Sequence, residues 1–241
     1  MPAPDIITTG IDVSLVQRVT SWKEVRNAGH RFLVAKATEG ERYVDPSMRK
    51  HIDGANSVGM LTGVYSFALP DEDARDDVDG LFESIKPLEA SQALDLPCTL
   101  DLESRNTRPA ATILHWARIW CELYQERDRL GRLPILYTGF GFWEGLVKDE
   151  PKMALDPFWQ TMHLWVAHYT SAAKPLVPRP WKQWGEVGGP RIWQWAASAP
   201  GGPIGMCPGI VGMVDLDRFA GPYDDLRRMA GLDVALPTLP G

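Results

Sequence analysis

Strand-like and helix-like segments alternate along the first 150 residues, and this alternation restricts the fold more than any other feature of the chain. Each short apolar run typical of a buried strand is followed by a segment with helical periodicity. Such a pattern is typical of parallel strands that are joined by helices. The strand-like runs cover residues 10–14, 31–38, 60–67, 97–103 and 133–138.

Three more strand-like runs follow at 163–168, 191–195 and 212–217, with loops rich in Pro, Gly and Trp between them instead of long helices. Five β/α units followed by three strands predict one α/β domain, a TIM-like (β/α)5(β)3 barrel of the parallel type. We place this barrel at residues 10–230, with an N-terminal extension at 1–9 and a C-terminal tail at 231–241. Functional groups on such barrels lie at the carboxyl ends of the strands. The polar and aromatic residues at or near these ends are Asp12, Glu39, Phe67, Asp101, Glu103, Tyr137 and Asp215.

Local signals predict where several helices begin and end. Ser21 is a candidate N-cap for a helix that runs to residue 29. Asp45 followed by Pro46 is typical of a second helix start. An acidic helix is predicted over 71–86 and should stop at Pro87, because proline has no backbone N–H to donate. A long helix with one apolar stripe is predicted over 107–130.

Asp101 and Glu103 end the fourth strand-like run, two positions apart. Side chains with this spacing share one face of a strand, so the two Cα atoms should lie roughly 6.5–7 Å apart. Two like charges that close disfavour double ionisation, and the pKa of one carboxyl should therefore rise. A carboxyl that holds its proton beside an ionised one is what glycoside hydrolysis requires. The simpler explanation of the spacing, taken alone, is a solvated strand end.

The composition argues against several other functions. The 241 residues carry a net charge of −6 without any run of Lys and Arg, which argues against nucleic-acid binding. Cys98, Cys121 and Cys207 lie far apart and the five histidines are scattered, so we expect neither a disulfide framework nor a metal site. No stretch is apolar enough to cross a bilayer. The first ten residues lack the features of a secretory signal peptide.

Seven motifs in the same order resemble glycoside hydrolase family 25, the Chalaropsis-type lysozymes. Each motif is weak alone, but together they extend over nearly the whole chain. One position departs from the pattern, because many members carry His where this chain has Ser66. The motifs are Gly10–Ser14, Val34–Gly40, Gly63–Phe67, Asp101–Glu103, Leu164–Tyr169, Trp193–Trp195 and Val214–Phe219.

The resemblance implies a flattened eight-stranded barrel that cleaves the β-1,4 bond between N-acetylmuramic acid and N-acetylglucosamine in bacterial peptidoglycan. It implies neither a metal nor an organic cofactor. The acidic site groups of the family correspond to Asp12, Asp101, Glu103 and Asp215. Glu103 is the expected general acid, and Asp101 is expected to support the oxocarbenium-like state or the N-acetyl group of the substrate. Whether a carboxylate of the enzyme attacks the sugar stays open, because substrate-assisted routes exist.

Aromatic side chains near the strand ends are candidate walls of a sugar-binding groove, although core packing is their commoner role in a barrel. Lys36 lies inside an apolar strand, which predicts an ion pair with a site carboxylate. Asp217 is expected farther out than Asp215, paired with Arg218 or a lysine. Gln194 is a candidate partner for an acetamido group. The candidate substrate-binding residues are Tyr65, Phe67, Tyr137, Trp165, Tyr169, Trp193 and Gln194.

The resulting hypothesis is a monomeric muramidase whose partner is peptidoglycan, with no nucleic-acid partner and no membrane insertion. A phage endolysin fits best, made in the host cytoplasm without a signal peptide; a tail-associated wall hydrolase is another possible origin. Two other functions stay open. The first is a catalytically silent glycan-binding module on the same barrel, against which the clustered acids argue. The second is a chitinase-like enzyme on another barrel, against which the motifs at 63–67 and 193–195 argue.

Overall fold

The computed structural model describes residues 6–197 and 202–232. Strands and helices alternate in the first part of the chain, as predicted. The strands are β1 (Thr8–Val13), β2 (Arg18–Val19), β3 (His30–Glu39), β4 (Tyr43–Val44), β5 (Leu61–Phe67), β6 (Thr99–Asp101), β7 (Ile135–Gly139), β8 (Leu164–Ala167), β9 (Pro190–Ala196), β10 (Ile210–Val211) and β11 (Asp215–Phe219). The helices are α1 (Trp22–Asn27), α2 (Met48–Asn56), α3 (Ala74–Ala90), α4 (Ala110–Arg127), α5 (Phe140–Asp149), α6 (Pro151–Ala154) and α7 (Tyr223–Met229), and a 3-10 helix spans Pro157–Thr161.

Eight strands close into a barrel in the order β1-β11-β9-β8-β7-β6-β5-β3, with β3 pairing back onto β1. The five β/α units and the three strands that follow them confirm the predicted fold. The first strand begins at Thr8, so the barrel includes two residues that we had assigned to the N-terminal extension. Most of the predicted tail at 231–241 lies outside the described residues. No helix in the described ranges is both long and apolar enough to span a bilayer.

The last barrel strand differs from the prediction in its bounds and its direction. The sequence predicted a strand at 212–217 with Asp215 near its carboxyl end, but β11 starts at Asp215. β11 runs antiparallel to both of its neighbours, whereas the other barrel pairings are parallel. Its amino end therefore meets the carboxyl ends of the parallel strands. Asp215 lies directly opposite Asp12 in this arrangement, at the same mouth of the barrel.

Several predicted helix ends were wrong, and two of them have a clear physical reason. Helix α3 continues through Pro87 to Ala90, because proline near the last turn removes only one intrahelical bond and Leu88 extends the buried apolar face. Helix α2 begins at Met48, after the predicted start at Asp45. The Asp45 carboxylate instead accepts from the backbone N–H groups of Ser47 and Leu15, at 2.8 and 2.9 Å. It thereby connects the start of α2 to the loop after β1.

A buried carboxyl lies between the barrel and the α3–α4 layer. Asp77 on α3 is fully buried, and its Oδ1 accepts from Trp120 Nε1 at 2.9 Å and Ser66 Oγ at 3.1 Å. Trp120 also stacks on Tyr124, with ring centroids 5.6 Å apart. Burial raises the pKa of Asp77 to about 6. Ser66 therefore contacts this helix and does not line the mouth of the barrel.

Candidate active site

A cavity of about 240 Å³ opens at the barrel mouth where the parallel strands end and β11 begins. All four predicted acids line it, together with five of the seven predicted substrate-binding residues. Tyr169 and Trp193 do not. The lining residues are Asp12, Lys36, Tyr65, Phe67, Asp101, Glu103, Tyr137, Trp165, Gln194 and Asp215.

Asp101 and Glu103 project into the cavity together. The strand itself ends at Asp101, but the next residue stays attached to β7. Leu102 N–H donates to the Tyr137 carbonyl at 2.9 Å, and the Leu102 carbonyl accepts from Thr138 Oγ1 at 2.8 Å. These bonds extend the strand geometry by one residue and keep both carboxyls on one face, as the spacing predicted.

Both carboxyls of this pair have raised pKa values. Burial raises the pKa of Asp101 well above its ordinary range, and the charges of Glu103 and Asp12 raise it further. The pKa of Glu103 is raised first by loss of water around its carboxyl and then by Asp215. The nearby Lys36 ammonium acts in the opposite direction on both. The sequence predicted one raised pKa; in the structure the more buried Asp101 holds its proton more firmly, while Glu103 lies at the open mouth.

Asp12 and Asp215 form the second acidic pair, on the facing strands β1 and β11. Gln194 on β9 donates through Nε2 to Asp12 Oδ2 at 2.8 Å and to Asp215 Oδ2 at 3.3 Å. Burial and the charge of Asp215 raise the pKa of Asp12 well above its ordinary range, whereas the bond from Gln194 lowers it. The cavity thus has an acidic pair on each side.

Comparison with known proteins identifies the family of this chain. The sequence profile of Glycosyl hydrolases family 25 matches residues 11–201, which is most of the chain. The chain belongs to glycosyl hydrolase family 25. Its enzyme class is therefore that of the glycoside hydrolases.

Individual relatives are similar over most of the chain. Lysozyme M1 from Streptomyces globisporus is 30% identical over 234 residues, which cover 95% of this chain and 73% of that protein. The N,O-diacetylmuramidase from Chalaropsis sp is 28% identical over 181 residues, which cover 71% of this chain and 82% of that protein. The crystal structure of the bacterial lysozyme from Streptomyces coelicolor is similar with a TM-score of 0.76 at 25% identity, covering 95% of this chain and 98% of that one.

A fifth carboxyl lies beneath the site of this family 25 enzyme, where the sequence had placed it outside. Asp217 is fully buried, and its Oδ1 accepts from Trp165 Nε1 at 2.9 Å. It also interacts with Asp12, which lowers the pKa of Asp12 and raises that of Asp217. Burial is the largest cause of the raised pKa of Asp217. The prediction of an outer position was wrong because β11 runs antiparallel to its neighbours and begins at the mouth with Asp215, so that Asp217, two residues later on the same face, lies deeper in the barrel.

Substitution of Asp217 distinguishes a protonated from an ionised carboxyl. We expect Asp217→Asn to preserve stability within about 1 kcal/mol, because an amide can donate to Asp12 and accept from Trp165. Asp217→Ala should lower the free energy of unfolding by about 1–3 kcal/mol, since it leaves the buried indole N–H unpaired. Urea unfolding of both variants tests this. An equal loss in the two variants would mean that Asp217 acts as an ionised acceptor.

Lys36 lines the cavity, but its ion pair is with a carboxylate that is not one of the four acids. Its Nζ lies 2.6 Å from Glu39 Oε2 and 5.1 Å from the ring centroid of Phe67. The predicted pair with a site carboxylate is therefore replaced by one with Glu39, which follows on the same strand. Lys36 still acts on Asp101 and Glu103 through its charge.

The two remaining predicted groove residues lie elsewhere. Strand alternation turns Gln194 inward and Trp193 outward. Trp193 is fully buried against Trp184, and its Nε1 donates to the His168 carbonyl at 2.8 Å. The prediction that Trp193 walls the groove was therefore wrong. Tyr169 borders a separate open cleft, although its hydroxyl donates to Gln194 Oε1 at 2.7 Å.

Proposed function

We propose that this family 25 enzyme is a muramidase that hydrolyses the β-1,4 bond between N-acetylmuramic acid and N-acetylglucosamine in bacterial peptidoglycan. The observation that carries the proposal is the cavity at the barrel mouth with an acidic pair on each side. Relatives named lysozyme and N,O-diacetylmuramidase support this class of substrate. The monomeric state, the absence of nucleic-acid and membrane partners, and the origin as a phage endolysin stay predictions.

Glu103 is the general acid in this proposal. It lies at the exposed mouth, where a glycosidic oxygen can reach it, and its raised pKa favours a bound proton. Transfer of that proton to the leaving oxygen lets the glycosidic bond break without forming an unstable alkoxide. A carboxyl buried as deeply as Asp101 is less suited to this transfer, because it holds its proton more firmly.

The other acids act on the positive charge that develops at the anomeric carbon. Asp12 and Asp215 lie across the cavity from the general acid and provide negative charge there. Asp101, beside Glu103, is placed to accept a hydrogen bond from the N–H of the substrate's N-acetyl group. The acetamido oxygen can then attack the anomeric carbon while the bond to the leaving oxygen breaks and that oxygen takes the proton of Glu103, one of the recognised routes for retaining enzymes.

Of the four aromatic residues that line the cavity, two have free surface for a sugar ring. Tyr65 and Phe67 are half-buried at the end of β5, and we assign them to stacking contacts. Tyr137 and Trp165 are buried, and their polar atoms bond Gln194 and Asp217. They form the floor of the cavity.

Digestion of purified peptidoglycan tests the proposal. We expect new reducing ends at N-acetylmuramic acid, because the carboxyls of the cavity are suited to protonating a glycosidic oxygen. Peptide cross-links should stay intact, because no cysteine lines the cavity to act as a nucleophile on an amide. Mass spectrometry of the fragments identifies each new end. Reducing ends at N-acetylglucosamine would contradict the proposed specificity, and free stem peptides would indicate an amidase or peptidase. Binding to the wall without any cleavage would favour the glycan-binding module.

A further inference from the structure

We propose that Gln194 is a positioning residue that holds Asp12 and Asp215 as a pair, and that it does not bind substrate. This inference rests on the proposed muramidase function and assigns Gln194 a different role from the acetamido contact that the sequence suggested. Gln194 lies on β9 at the base of the cavity, and only 3% of its surface is exposed.

All the hydrogen-bonding capacity of the Gln194 amide is used within the protein. Its Oε1 accepts from Tyr137 Oη at 2.8 Å and from Tyr169 Oη at 2.7 Å. Its Nε2 donates to Asp12 at 2.8 Å and to Asp215 at 3.3 Å. A primary amide has two acceptor sites and two donors, so no donor or acceptor is left for a sugar.

The chemistry of the partners fixes which way the amide points. A carboxylate oxygen accepts hydrogen bonds, so the NH2 group faces Asp12 and Asp215, which it contacts at 2.8 and 3.3 Å. The two phenols are then donors to the oxygen, which requires that both stay protonated. Burial raises the pKa of Tyr137 and of Tyr169, and neither will ionise near neutral pH. The phenols therefore orient the amide, and the amide orients the acids.

The position of Gln194 explains how two facing carboxylates coexist. Asp12 and Asp215 are opposite each other on adjacent antiparallel strands, where like charges repel. A shared NH2 group places a donor against each of them and offsets part of that repulsion. Loss of the shared donor should let the carboxylates separate or take up a proton, with the geometry around them otherwise intact.

The isosteric variant Gln194→Glu gives a sharp test through its dependence on pH. In acid, the introduced carboxyl is protonated, so it can still accept from the phenols and donate one bond to Asp12. As the pH rises it ionises and faces two carboxylates without a donor. We expect kcat within about tenfold of wild type in acid and a loss on the order of 10²-fold near neutral pH, with KM changed less than about threefold. Gln183→Glu, at an exposed site outside the cavity, controls for added charge.

The carboxyl titration of Asp12, followed by 13C NMR, provides a readout that does not need activity. In Gln194→Glu the Asp12 carboxyl should titrate at higher pH than in wild type, whereas Gln183→Glu should leave it unchanged. A pH–rate profile that overlays wild type, a raised KM with unchanged kcat, or an unaltered Asp12 titration would overturn the positioning role. A wild-type protein without activity on peptidoglycan would overturn the proposed function, and the NMR titration would still decide the role of Gln194.

Discussion

Glu103→Gln is expected to reduce peptidoglycan cleavage by about 10²–10⁴-fold, the usual contribution of a general acid. The amide keeps the shape of the side chain but has no proton to transfer to the leaving oxygen. Because Glu103 lies at the exposed mouth of the cavity, the substitution should leave the fold intact. The rate of reducing-end release, measured with a thermal unfolding curve for each protein, separates loss of chemistry from loss of structure.

The matched control for Glu103→Gln is Glu126→Gln, which removes one negative charge from an exposed position on α4. It should cleave at the wild-type rate. Cleavage near the wild-type rate by Glu103→Gln would show that another group supplies the proton. The same loss in the Glu126 control would show that net charge, and not acid catalysis, limits the reaction.

Stability should fall as the pH rises from about 4 to about 6, and Asp77 should account for a large part of the change. Burial raises the pKa of Asp77 from its ordinary value of 3.8 to about 6, so the folded chain binds this proton more tightly than the unfolded chain does. The contribution of Asp77 to the free energy of unfolding is therefore largest below pH 3.8. It decreases as the pH rises from 3.8 to about 6 and does not change further above that pH. The full difference corresponds to about 3 kcal/mol.

Urea unfolding of wild type and Asp77→Asn across this pH range measures that contribution. Other buried carboxyls of the cavity titrate in the same direction, so the quantity of interest is the difference between the two proteins. We expect this difference to change by about 3 kcal/mol in favour of the variant as the pH rises. Asp76→Asn, at the exposed neighbouring position, controls for charge on α3. A difference that is constant with pH would mean that Asp77 stays in one protonation state.

The sequence alone specified the barrel and placed several residues at its mouth. The alternation of apolar strands with helical segments allows few arrangements, because parallel strands need a connection long enough to return along the sheet. The spacing of Asp101 and Glu103 placed both carboxyls on one face, since side chains of a strand alternate with a period of two. Asp12 was likewise placed correctly from its position at the end of the first strand.

Only the tertiary structure decided how deep each side chain lies and what it contacts. The direction of β11 depends on pairing with β1 and β9, which are distant in sequence, and it determines that Asp215 meets Asp12. The inward position of Asp217 and the outward position of Trp193 follow from strand alternation, but only once the register of each strand is known.

No local sequence pattern could predict that all four hydrogen-bonding positions of the Gln194 amide are filled. Its four partners come from four other strands or loops of the barrel. Strand periodicity is a property of neighbouring residues, and the sequence determines it. Burial, charge coupling and hydrogen-bond partners depend on groups that the closure of the barrel brings together. The tertiary structure therefore decides them.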